Sequence, residues 1–234
     1  MTHTLSTPHD AAPATNASGT ASRIAARTMT RRMVAGGLVA GPVFLTAGVA
    51  QGFVRDGFDF TRNAISQLAL GESGWVQTVN FVLTGALLLA GAAGLRRVLR
   101  GGPGGTWGPA LVGVFAVSFW VAAAFPADAG AGFPVGAPVA ASGAAVLSGH
   151  GIVHMLGGMV GYLALCAAFV VLARPLAARG WRGWAVASRV VPVGVLAGFA
   201  ASAASVLAFT AGAGLGLLWL TAVTARLARV RADR

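Results

Sequence analysis

The chain has no lysine, one cysteine, one tyrosine and six acidic residues in a length of 234. The lone Cys166 excludes an intrachain disulfide framework and any multi-cysteine metal site. Charged residues make up 10% of the chain, where a soluble domain carries about 25%. So few charges cannot build a water-facing surface, which argues against a soluble globular enzyme. Hydrophobic residues reach 56% with a mean hydropathy of +0.75, and the same numbers exclude disorder over most of the chain. No strand pattern is evident. The glycine-rich segment 101–106 lacks the lysine and hydroxyl that end a nucleotide loop.

The net charge of +11 comes from 17 arginines, and their positions matter more than their number. Arg23, Arg27, Arg31 and Arg32 precede the first apolar run, and Arg96, Arg97 and Arg100 follow the second. Arg174, Arg179, Arg182 and Arg189 follow the fourth, and Arg226, Arg229, Arg231 and Arg234 close the chain. A nucleic-acid binder gathers such residues with polar and aromatic ones on a soluble face. Here they punctuate apolar segments, the mark of membrane topology. Arginine without lysine, amid abundant Ala, Gly and Val, fits a high-GC bacterial genome.

Crossing about 30 Å of hydrocarbon takes roughly 20 apolar residues. Residues 33–54, 73–95, 107–125 and 150–173 are uncharged runs of 22, 23, 19 and 24 residues. Residues 190–225 are uncharged for 36, too long for one ordinary helix and suited to two short ones. Gly212 and Gly214 place the turn between them near 209–214. The reading is therefore an all-α polytopic bundle of six transmembrane helices, at about 33–54, 75–95, 107–125, 150–173, 186–208 and 212–227. The last span is short, so Arg226 has to snorkel. Residues 1–30, rich in Thr, Ala, Ser and Pro without a hydrophobic period, read as a disordered cytoplasmic tail, and 230–234 as a second tail. Pro126, Pro134, Pro138 and their glycines make 126–149 an outer loop instead of a seventh span.

Six spans return both termini to one side. The two tails and the second and fourth loops hold 15 arginines, whereas the first, third and fifth loops hold Arg55 and Arg62 alone. The positive-inside rule puts both termini in the cytoplasm of a cell-membrane protein. Glycines recur four apart at Gly37/Gly41, Gly157/Gly161, Gly194/Gly198 and Gly212/Gly216, a spacing that lets helix backbones approach closely. Trp75, Trp107, Trp181 and Trp184 suit interfacial belts.

Informative polar residues gather at the outer ends. The first outer loop holds Arg55, Asp56, Asp59, Arg62, Asn63, Ser66 and Glu72. Within it, 61–70 is predicted to form a short interfacial helix with Ile65 and Leu68 facing lipid or the bundle. The third loop supplies Asp128. The fourth span opens with His150 and His154, whose four-residue spacing puts both imidazoles on one helix face, about 6 Å apart along the axis.

Asn63-Ala-Ile-Ser66-Gln-Leu-Ala-Leu-Gly71, followed by Gly74-Trp75-Val-Gln and Asn80-Phe81, resembles the domain-of-unknown-function 998 family of multi-pass membrane proteins. Asp128 with Gly132-Phe133-Pro134, and His150-Gly-Ile-Val-His154, resemble that family's outer-loop motif and the start of its fourth span. The resemblance covers about residues 33–228 and implies a six-helix bundle with no established activity.

The outer-face candidates are Arg62, Asn63, Ser66, Asp128, His150 and His154. Two imidazoles and one carboxylate are an incomplete ligand set for zinc or iron, so no metal is assigned and no cofactor is expected. The histidines read as interfacial side chains bonded to loop carbonyls or Asp128, against a pH-responsive or proton-relay role. Arg62 is expected to pair with Asp59, Glu72 or Asp128, and Asn63 to cap a helix or anchor the loop. Ser66 has no general base near it in sequence. The favoured function is a non-catalytic bundle that binds lipid or a membrane-protein partner, with the bilayer as its solvent and no nucleic acid. The alternatives are an outer-leaflet enzyme or metal- or proton-responsive site built on Asp128, His150 and His154, and a small-molecule transporter.

Overall fold

The computed structural model describes residues 14–137 and 147–229. These form six helices, each long and apolar enough to cross a membrane: α1 (Ala14–Val54), α2 (Gly74–Val98), α3 (Trp107–Ala124), α4 (Gly149–Ala178), α5 (Arg182–Ala200) and α6 (Val206–Arg229). A short 3₁₀ helix, Ile65–Ala69, lies between α1 and α2. Among the described residues there is no strand, only an isolated bridge between Gly130 and Phe133.

Helix ends follow local chemistry. Arg96 and Arg97 occupy the last turn of α2, where cations meet the negative end of the helix dipole, and Arg96 ties the next loop by donating to the Gly105 carbonyl at 2.8 Å. Pro109 sits in the first turn of α3, where its missing N–H costs nothing. Ser148 caps α4 by accepting from the Gly151 amide at 3.0 Å. Gly180, at φ +76°, ends α4 in the left-handed conformation that glycine adopts freely.

Two boundaries depart from the sequence reading. The turn between α5 and α6 falls at residues 201–205, not 209–214, so α6 has 24 residues instead of a short span. Gly212 lies inside α6 because its absent side chain serves packing. A Cβ at Gly198 would stand 2.9 Å from the Gly212 Cα, so the pair brings α5 and α6 into backbone contact. Ser205 instead starts α6, accepting from the Ala208 amide at 3.2 Å. The second departure is at the N-terminus. Helix α1 begins at Ala14, so residues 14–30, expected as a disordered tail, are helical, while 1–13 lie outside the described residues. Alanine and arginine are strong helix formers, and extending a helix already nucleated by its apolar span costs far less than starting one. Residues 138–146 of the expected outer loop and the tail 230–234 also lie outside the described residues.

The helices close into a ring in chain order, each packed on the next and α6 on α1, with further contacts of α6 to α2 and α4. The glycine pairs work within this ring. A Cβ at Gly37 would stand 2.8 Å from the Gly91 Cα of α2, and one at Gly41 3.0 Å from the Leu217 carbonyl of α6. At the arginine-rich end, Leu95, Leu99, Leu172, Leu176, Val223 and Leu227 pack into a solid plug edged by Trp181, Trp184 and Trp219. Arg226 reaches that end by stacking its guanidinium 4.0 Å from the Trp181 ring, a cation–π contact. The other half is aromatic, built on Phe44, Phe81, Phe115, Phe119 and Phe169.

Candidate functional site

The loops opposite the arginine-rich end are clamped by side-chain amides. Asn63 is fully buried; its Oδ1 accepts from the Asp59 amide at 3.0 Å and its Nδ2 donates to the Gly130 carbonyl at 3.3 Å. One turn on, Gln67 donates to the Asp128 carbonyl at 3.1 Å and accepts from the Ala64 amide at 3.0 Å. The two residues staple the α1–α2 loop to the α3–α4 loop. Arg55 completes the clamp, donating to the carbonyls of Leu68 at 3.1 Å and Leu70 at 2.6 Å, with Phe133 beneath its guanidinium at 5.2 Å. Of the three partners expected for Arg62, the structure selects Asp59, at 3.0 Å. Hydrogen bonds from the Thr61 hydroxyl at 2.6 Å and amide at 2.8 Å, then from Arg62, hold the Asp59 carboxyl below the usual carboxylate range.

Asp128, His150 and His154 are neighbours with separate commitments. The Asp128 carboxylate accepts from the amide and hydroxyl of Ser148 at the head of α4, where an acid meets the positive end of the helix dipole. A Cβ at Gly151 would collide with that carboxylate. His150 is exposed and rests edge-on against the Phe125 ring at 5.5 Å. His154 is buried, and its Nδ1 lies 2.9 Å from the Phe125 carbonyl. Both imidazoles thus share a helix face but meet Phe125 by different atoms. Among the described residues, no group of three or more His, Cys, Asp or Glu side chains is placed to hold a metal.

Beneath this clamp the helices bound a cavity of about 740 Å³ that opens sideways past the exposed Met155, Leu156 and Met159, inside the range of roughly 300–1,000 Å³ usual for small-molecule sites. Ala64, Ile65 and Ser66 roof it, and all six helices supply its walls, α2 through Phe81. An aromatic chain runs through it: Phe44 meets Phe119 at 5.1 Å, Tyr162 meets Phe199 at 4.7 Å and Phe199 meets Phe209 at 4.9 Å. Such edge-to-face and tilted pairs hold the wall rigid. Its polar lining is Ser66, Ser118, His154, Tyr162, Ser202 and Thr210, and no charged side chain reaches it among the described residues. Of the six candidates, Ser66 and His154 line the cavity, Arg62, Asn63 and Asp128 belong to the loop clamp, and His150 faces out.

Sequence reasoning missed this cavity and a second polar group on α1 and α2. Gln51 donates to Gln77 Oε1 at 2.8 Å, and Asn80 donates to the same oxygen at 3.1 Å and to the Phe44 carbonyl at 3.2 Å. All three amides and Thr84 are buried. The signal was available: every glutamine and every asparagine beyond Asn16 belongs to this group or to the loop clamp.

A ring of six apolar helices, clamped by polar loops at one end and plugged by leucine at the other, defines a multi-pass membrane protein. The chain belongs to the family described as protein of unknown function DUF998, whose match spans residues 38–226. No curated protein and no solved structure matches it.

Proposed function

We propose that this is a non-catalytic protein of the bacterial cell membrane, with both termini in the cytoplasm, that holds a lipid-like molecule in the cavity beneath the loop clamp. One observation carries the reading: a chamber of about 740 Å³ with apolar walls and no charged lining residue, open to ligands that partition into hydrocarbon. The leucine plug at the arginine-rich end supports a holder over a conduit, because buried leucines fill the bundle there. The separate engagements of Asp128 with Ser148 and of His154 with Phe125 leave no shared point for a reacting atom. The arginine count supports the orientation.

The test is lipid retention. Gly158 lines the chamber, and a Cβ there meets nothing within 4 Å; Gly214 also lines it, with Leu45 nearest at 3.8 Å. Gly158→Trp and Gly214→Phe should fill the chamber without unfolding the bundle. Native mass spectrometry of wild-type protein in mild detergent should show co-purifying lipid that both variants lose while keeping wild-type helicity. Equal retention in folded variants would overturn the reading.

A further inference from the structure

Resting on the lipid-holding reading, the geometry points to an uncharged lipid alcohol as the ligand, its hydroxyl donating to His154 Nε2. The inference comes from where the hydrogens of the cavity's polar groups go. His154 Nδ1 faces the Phe125 carbonyl at 2.9 Å. A carbonyl oxygen only accepts, so Nδ1 carries the hydrogen of the neutral ring and Nε2 is left as a bare acceptor. Nε2 makes no hydrogen bond among the described residues. The same commitment recurs at Ser118, and more loosely at Tyr162. The Ser118 hydroxyl donates to the Phe115 carbonyl at 2.7 Å, and the Tyr162 hydroxyl leans on the Ala213 carbonyl at 3.5 Å. His154 and Ser118 therefore spend their hydrogens on backbone carbonyls and keep lone pairs for a ligand.

The bare acceptor at His154 selects a donor. A carboxylate or phosphate head brings no hydrogen to Nε2 and finds no arginine lining the chamber to neutralise it, and burying an unpaired charge is costly. An ammonium head can donate, but no carboxylate lines the chamber to balance it. A hydroxyl supplies the donor without the charge, and an apolar body fills the aromatic walls.

The experiment compares four ligands with one chain and four heads, namely oleyl alcohol, its methyl ether, oleylamine and oleate, each titrated into the full-length protein in nanodiscs. Oleyl alcohol should bind about tenfold more tightly than the ether, which accepts but cannot donate, the size of effect expected when a buried acceptor is left unpaired. His154→Phe should bring alcohol and ether to equal affinity, while His154→Gln, which keeps an acceptor, should restore part of the preference. If His154→Phe does not fold, the wild-type comparison of alcohol with ether still decides. Equal binding of alcohol and ether by wild type, or tighter binding of oleate, would overturn the inference while leaving the lipid-holding reading intact. Failure of all four ligands to bind, together with unchanged lipid content in Gly158→Trp, would overturn both.

Discussion

Asn63 shows how much one side chain can organise. It is sealed from solvent, yet both ends of its amide are satisfied by backbone groups of two different loops. Removing it strands the Asp59 amide, while the Gly130 carbonyl keeps the Phe133 amide at 3.1 Å, and an unsatisfied buried group costs about 1–3 kcal/mol. Asn63→Ala should lower stability by that amount in a thermal melt, and hydrogen exchange should rise in both loops, 55–73 and 126–137. Arg62→Ala should change little, because its pair with Asp59 is half-exposed and such pairs are worth roughly 0–1 kcal/mol. An anchoring role for Asn63 was readable from residue type, but the target, Gly130, was not. Nothing local announces that a residue 67 positions away supplies the carbonyl. The contrast between His150 and His154 was equally hidden. Spacing puts them on one face, and only the path of the α3–α4 loop decides which one is buried.

At the scale of helices, the misplaced turn carries a test. Glycine is both a helix breaker and the residue that lets helices touch, and composition alone does not distinguish the roles. Gly212 opposes Gly198, whereas Gly214 meets only the Leu45 side chain, at 3.8 Å. Gly212→Val should therefore separate α5 from α6 and reduce the yield of folded protein. Gly214→Ala should be neutral or stabilise by about 0.5–1 kcal/mol through helix propensity. Were residues 209–214 a turn, both changes would instead leave helix packing untouched. Size-exclusion profiles and melting curves of the two variants separate the cases. The four well-bounded spans were legible because hydrocarbon tolerates neither charge nor unpaired backbone, so charged joints mark their ends. The helical extension of α1 through residues 14–30 was not, because it has no apolar period and gains its order from the span it continues.

For the molecule as a whole, charge and packing divide it the same way. The arginine-rich end is solid, and the other end carries the chamber and its clamp. Orientation is then checked with single cysteines in a Cys166→Ala background. Glu72 and Arg100 are both exposed and lie at opposite ends of α2. A membrane-impermeant maleimide added to intact cells should label Glu72→Cys, and should label Arg100→Cys only after permeabilisation. The reverse pattern would invert the proposed topology. The bundle's existence followed from hydropathy, but the chamber did not, since an empty volume belongs to no residue and emerges only when six helices meet.

Closure of the ring also sets a timetable for biosynthesis. Gly41 in α1 docks against the Leu217 carbonyl in α6, 176 positions later. At a translation speed of about 5–20 residues per second, α1 waits roughly 10–35 s after emerging from the ribosome before its final neighbour exists. Throughout that interval its notch at Gly41 faces whatever else shares the membrane, so a nascent chain halted before α6 presents an unsealed seam to other proteins and to quality-control proteases.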